Sequence, residues 1–241
     1  AESKRGETPN FTGGEAATIT AQGNPYVFRT AFGQNISYPK LAKFITSKYK
    51  TLAVIYANND FGKGGRDTLT KLLEGTQTKV VADISTDAGA VDFSAAVLKA
   101  KQSDADAIFV VTNEEESARM LREFRKQGVK KPLIGETTLI GQKVIELAGD
   151  SANGALGHVG LTVEAAPLKA FGAKYKAEYK SETDHNGIKG YTGVYVLKAA
   201  IEKVGKLDRK AVAAAIRGGC FNTKQTPGIL LDVCFDDKGD L

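Results

Sequence analysis

The chain has 241 residues, 42% of them apolar and 25% charged, enough apolar surface to bury a core in one or two domains. Its formal net charge of +5 is dispersed as KxxxE and ExxK spacings rather than gathered into a basic block, which argues against nucleic-acid binding. No run reaches the ~20 apolar residues of a membrane span, and Cys220 and Cys234 lack the CxxC or Cys/His spacing of a zinc site, which leaves a disulfide in an oxidising compartment or two thiols in a reducing one.

Residues 1–31 hold one short strand around Phe11 (PNFTGG), a turn rich in Gly, Ala and Thr, and then NPYVFRT. Pro39, placed at a first helical turn, predicts a helix from there to Tyr49. Four short apolar runs follow, with starts about 27 residues apart: Thr51–Ala57, Lys79–Ile84, Ala105–Val111 and Pro132–Gly135. Each gives way to an amphipathic stretch, as in βαβ units, because parallel strands need a crossover that returns over the sheet face. The expected fold class is α/β with parallel, doubly wound sheets. In Glu115–Gln127 the stripe Ala118, Leu121 and Phe124 marks a helix that Gly128 ends. His158–Val163 reads as a final strand. Residues 167–217 then hold three helical stretches with no strand between them, and the change of pattern predicts a crossing into a different domain. Val194, Leu197, Ile201 and Val204 mark the expected buried face of the middle helix, which Gly205 ends. Thr226–Leu241 reads as a strand that breaks off at a turn.

In doubly wound sheets ligands bind outside the carboxyl ends of the strands, which singles out Asn58–Gly62, Thr112–Glu116 and Glu136–Thr138. Gly62, Gly64 and Gly65 match neither GxGxxG nor GxxxxGK[ST], so a nucleotide site is not expected. There is no GxSxG elbow, and His158 and His185 have no Ser, Cys or acid at motif spacing. Acids in a helix's first turn complement its dipole, which accounts for one or two of Glu114, Glu115 and Glu116. Glu114, nearest the strand end, is the candidate ligand contact. Glu136 either caps the helix beginning near Ile140 or meets a ligand's cationic group, and Phe61 either packs in the core or stacks on a ligand. An α/β enzyme using Glu114 or Glu136 as general base is a competing reading.

NPYVFRT at 24–30, VIYANNDFGKG at 54–64, IFVVTNEEESARMLREFRKQG at 108–128, LAGDSANG at 147–154, YTGVYVLKAAIEKVG at 191–205 and the closing DDKGDL together resemble the branched-chain amino-acid (Leu/Ile/Val-binding) type of periplasmic substrate-binding protein, the receptors of ABC uptake systems. The match runs in order over nearly the whole chain. The resemblance implies a two-lobed periplasmic-binding-protein type I fold that closes about a hinge on a small ligand. It implies a periplasmic, non-enzymatic receptor without cofactor or metal, whose partners are a small-molecule ligand and the membrane permease of an ABC transporter, with no nucleic acid. It further implies truncation at both ends, leaving a complete second lobe (residues 32–160) and an incomplete first lobe (residues 1–31 and 161–241). Such a protein is expected to be a monomer when complete, with self-association open to the shortened chain through helices that lack their sheet. An extracellular ligand-sensing domain is the alternative role of the same fold.

Carried over residue by residue, the family's first-lobe turn, which holds a ligand carboxylate, falls on Gly13, Gly14 and Glu15. Glu15 stands where the family has a hydroxyl, and an ionised carboxylate cannot donate, so Thr12 or Thr18 is the substitute. The family's aromatic falls on Phe61, its second-lobe turn contact on Asn113 or Glu114, and its acid for the ligand ammonium on Thr137, next to Glu136. One aromatic face, two acids and neutral polar groups favour a hydrophobic or aromatic amino acid, with an aromatic carboxylic acid second. The periplasm implied by the resemblance permits a Cys220–Cys234 disulfide, which the turn at Pro227 and Gly228 would help to close. Arg29–Gln34 and Gly160–Val163 are the expected crossings between lobes, with Gly33 and Gly160 supplying backbone freedom.

Overall fold

The structure, a computed structural model, describes residues 2–161 and 164–241. The chain divides into two compact units: Gln34–Gly160, and Ala1–Gly33 together with Leu161–Leu241, so that Phe32 and Gly33 group with the latter. Thr162 and Val163, in the expected final strand and second crossing, lie outside the described residues.

The N-terminal part of the discontinuous unit comprises α1 (Glu2–Arg5), β1 (Asn10–Thr12), α2 (Thr18–Ala21) and β2 (Val27–Arg29). β1 and β2 pair in parallel with Phe11 opposite Phe28. Arg29, expected at a crossing, lies instead within β2 and is fully buried.

The continuous unit follows as α3 (Gln34–Lys48), β3 (Thr51–Ala57), α4 (Asp60–Leu73), β4 (Lys79–Thr86), α5 (Ser94–Gln102), β5 (Ala107–Val111), α6 (Glu114–Lys126), β6 (Leu133–Gly135), α7 (Gln142–Ala148) and β7 (Leu156–Gly157), with 3-10 turns at Thr137–Ile140 and Gly149–Ala152. The five strands form one parallel sheet in the order β4-β3-β5-β6-β7. From β3 the chain steps outward to β4 and then returns to the other side at β5, so the topological switch point lies between β3 and β5. Alternate residues of these two central strands face opposite layers. Ala53, Ile55, Ile108 and Val110 pack with Val97, Leu121 and Phe124, while Leu52, Val54, Phe109 and Val111 pack with Tyr38, Leu41, Ile45 and Leu69. Burial on both faces is why β3 and β5 read as unbroken apolar runs.

Within the continuous unit, two boundaries differ from the sequence expectation by more than two residues. α3 begins at Gln34, so Pro39 is internal to the helix and removes one backbone hydrogen bond there. The extra N-terminal turn is anchored by the buried side chains of Gln34 and Tyr38. β7 ends at Gly157, before the expected His158–Val163 strand. Its register sets Gly157 beside Gly135, and a Cβ on Gly157 would press within 2.9 Å of the Glu136 carbonyl.

The second part of the discontinuous unit contains α8 (Ala166–Tyr179), α9 (His185–Val204), α10 (Arg209–Ile216) and a two-residue antiparallel pair, β8 (Cys220–Phe221) with β9 (Val233–Cys234). A disulfide joins Cys220 to Cys234 across that pair. The buried face of α9 is Ile188, Thr192, Val196 and Ala200, rotated from the one expected: Val194 is 65% exposed, and Leu197, Ile201 and Val204 only flank the core. The polar Thr192 interrupts the apolar stripe, yet it is buried because its hydroxyl donates to the Ile188 carbonyl at 2.8 Å. Next to it Gly193 lets Phe11 approach, since a Cβ there would stand 3.1 Å from that of Phe11.

Candidate functional site

Five of the candidate residues lie along one edge of the continuous unit, where β3, β5 and β6 end. β3 leads into Asn59, whose side chain accepts from the Gly62 N–H at 2.8 Å and caps α4. The glycines that follow serve packing. A Cβ on Gly62 would overlap the Ala57 backbone, and one on Gly65 would collide with Tyr38 and Val111. Phe61 packs part of its ring against the core layer that contains Tyr38 and Phe109. Its carbonyl accepts from Gln34 Nε2 at 3.0 Å.

At the end of β5, Asn113 is exposed and Glu114 half-buried. Glu116 and Glu115 are both engaged along α6. Glu116, buried, accepts from the backbone N–H of Asn113 at 2.9 Å and of Gly89 at 2.5 Å, and so closes the first turn of α6. Glu115 pairs with Arg119 at 3.4 Å on the exposed side.

Glu136, after β6, is turned inward and is 1% exposed. It accepts from Gln34 Nε2 at 2.8 Å and from the Tyr38 hydroxyl. Its side chain makes no capping bond to the turn that follows. Gln34 Nε2 therefore links the Glu136 carboxylate to the Phe61 carbonyl, and the Tyr38 ring makes T-shaped contacts with Phe109 and His158. Thr137 is also buried, and its hydroxyl donates to the His158 carbonyl at 2.9 Å.

The other three candidates follow β1 in the discontinuous unit. The Gly14 N–H donates to Thr12 Oγ1 at 3.1 Å, which engages that hydroxyl within the turn. Glu15 Oε1 meets Lys189 Nζ at 2.7 Å, with the two side chains 11% and 8% exposed. The same ammonium lies 3.4 Å from the Gly13 carbonyl. The structure thus groups Gly13, Gly14 and Glu15 with Lys189 in one unit, and Phe61, Asn113, Glu114, Glu136 and Thr137 in the other.

Sequence reading missed Gln34, Tyr38 and Lys189. A usable signal existed for Lys189, a lysine between Ile188 and Thr192 on the inward stripe of α9, since lysine is rarely buried without a partner. Among the described residues no group of His, Cys, Asp and Glu could hold a metal ion, and no helix is long and apolar enough to cross a membrane.

Comparison with known proteins gives one consistent result. The family described as periplasmic binding protein matches residues 6–236. A leucine-, isoleucine-, valine-, threonine- and alanine-binding protein of Pseudomonas aeruginosa is 30% identical over 97% of this chain, which spans 61% of that relative. A Leu/Ile/Val/Thr-binding protein of Salmonella typhimurium is 26% identical, and the chain again spans 61% of its length. Among solved structures, a leucine-binding protein from Thermotoga maritima superimposes with a TM-score of 0.85 at 24% identity, over 99% of this chain and 69% of its own. A solute-binding protein of an ABC transporter from R. palustris, in complex with benzoate, gives 0.87 at 20% identity, over 99% and 66%. At these identities the two structures speak for the fold.

Proposed function

Since this chain belongs to the periplasmic binding protein family, we propose that it is the ligand-binding part of a non-enzymatic periplasmic receptor that delivers a hydrophobic or aromatic amino acid to the permease of an ABC transporter. The observation that carries this reading is the carboxyl edge of the five-stranded sheet. Its switch point, between β3 and β5, has Phe61 on one side and Asn113 and Glu114 on the other, and ligands of doubly wound sheets bind at such points. Phe61 offers a face for an apolar side group, and Glu114 an anion for an ammonium. Glu136 and Thr137 back this edge from one strand further along, and Glu136 holds Phe61 in place through Gln34. The turn of Gly13, Gly14 and Glu15 is assigned to the ligand carboxylate. The family, and the amino acids named for the relatives, support a ligand that carries a carboxylate.

One observation favours a second reading, a receptor for aromatic carboxylic acids. The inward turn of Glu136 withdraws one of the two acids that would repel an anion. Native and denaturing mass spectrometry of the purified full chain, followed by calorimetry with leucine, phenylalanine and benzoate, separates the two. Leucine or phenylalanine held in preference to benzoate supports the amino-acid reading, and benzoate alone supports the second. Chemical turnover of the ligand on long incubation would overturn the non-enzymatic role.

A further inference from the structure

The Glu15–Lys189 pair stands out because a buried ion pair is a poor device for stability: desolvating both charges consumes most of what their attraction returns. Lys189 lies in the second turn of α9, five residues after the N-cap Asp184. Two side chains accept the desolvation cost next to the Gly13–Glu15 turn, and the lysine stem packs onto that turn, 3.2 Å from where a Cβ on Gly13 would lie. We propose that Lys189 is a specificity-determining residue of this unit: it cancels the Glu15 charge and holds the turn by the Gly13 carbonyl, so that a turn carrying a carboxylate side chain can receive a ligand carboxylate.

The inference rests on the proposed assignment of this turn to the ligand carboxylate. Without Lys189, the Glu15 anion faces an incoming carboxylate uncompensated in a part-buried setting where charges act strongly. Without Glu15, the freed ammonium attracts the same group.

The test is calorimetry on the full chain and on Lys189→Met, Glu15→Gln and the double variant. Benzoate and phenylalanine are the carboxylate probes, phenylalaninol is the probe without a carboxylate, and circular dichroism checks folding. The expected result is a loss of tenfold or more in benzoate and phenylalanine affinity for Lys189→Met, recovery to within about threefold in the double variant, equal or tighter binding by Glu15→Gln, and no matching change for phenylalaninol. If Lys189→Met binds the acids as tightly as the unaltered chain, or if the double variant stays as weak as Lys189→Met, the charge role is overturned while the assignment of the turn stands. If Lys189→Met does not fold, Glu15→Gln decides alone: weaker acid binding than the unaltered chain overturns the proposal. Failure of every form to bind any carboxylate rejects the assignment of the turn and the inference with it.

Discussion

The two units solve the same problem with different means. In Gln34–Gly160 a five-stranded sheet is covered on both faces, and the apolar side chains of β3 and β5 are almost wholly removed from water. In the discontinuous unit the strand pairs are three and two residues long. One apolar cluster around Phe28, Val196 and Phe235 is supplemented there by discrete links. Arg29, fully buried, meets Asp240 at 2.6 Å and Thr20 Oγ1 at 2.8 Å, Glu15 meets Lys189, and Cys220 is bonded to Cys234. Where a sheet is continuous, burial is spread over many interchangeable contacts. Where it is fragmentary, a few specific links supplement the apolar packing, and these respond to charge and redox state.

The largest effect should come from the continuous core. Phe109 is fully buried on β5 with the Tyr38 ring in T-shaped contact at 6.0 Å, so Phe109→Ala should cost about 4 kcal/mol in denaturant unfolding. A cost below about 1 kcal/mol would mean that this layer is not packed as described.

In the discontinuous unit, Asp240→Asn leaves the Arg29 cation buried without its anion and should cost about 3 kcal/mol, read from hydrogen exchange in β2 and α2. Exchange that changes equally in β3 and β5 would break the contrast between the units. Reducing the disulfide, whose partners are 14 positions apart, should cost at most about 3 kcal/mol. The added exchange should centre on residues 220–235 and spare the five-stranded sheet.

The continuous unit's fold was the more legible of the two. Its runs at Thr51–Ala57 and Ala105–Val111 announced β3 and β5 because strands buried on both faces have no polar positions to disguise them. Their order along the chain then placed the loops at residues 58–62 and 112–116 on one edge. The orientation of Glu136 was not legible. It depends on Gln34 and Tyr38, 102 and 98 residues away in sequence, and no local periodicity reports such a contact. The face of α9 was misread for a related reason, since Thr192 and Lys189 are buried through partners rather than through hydrophobicity.

A smaller effect concerns ligand contact. Glu114→Gln should weaken phenylalanine binding by tenfold or more, about 1.4 kcal/mol, by removing the anion assigned to its ammonium. Benzoate binding should be unchanged or tighter. Equal losses for both ligands would point to disruption of the α6 N-terminus instead.

The smallest effect is electrostatic and exposed. Asp106 accepts from the backbone N–H groups of Lys50 at 2.8 Å and Thr51 at 3.0 Å, and these bonds hold its carboxyl below the ordinary value of 3.8. A carboxyl lowered in this way favours the folded state above that ordinary value and gives up its contribution as the pH falls through the folded-state value. Stability of the continuous unit should therefore decline below about pH 4, and Asp106→Asn should flatten that decline. A steeper acid slope in the variant would contradict the assignment.

A carboxylate-bearing ligand bound at the switch point between β3 and β5 should protect the backbone there, which hydrogen exchange of the full chain with and without saturating phenylalanine measures. Exchange should slow at residues 58–65 and 112–117, where those strands end. No change there, with protection instead at the opposite edge around Lys50, Lys79 and Asp106, would contradict binding at the switch point.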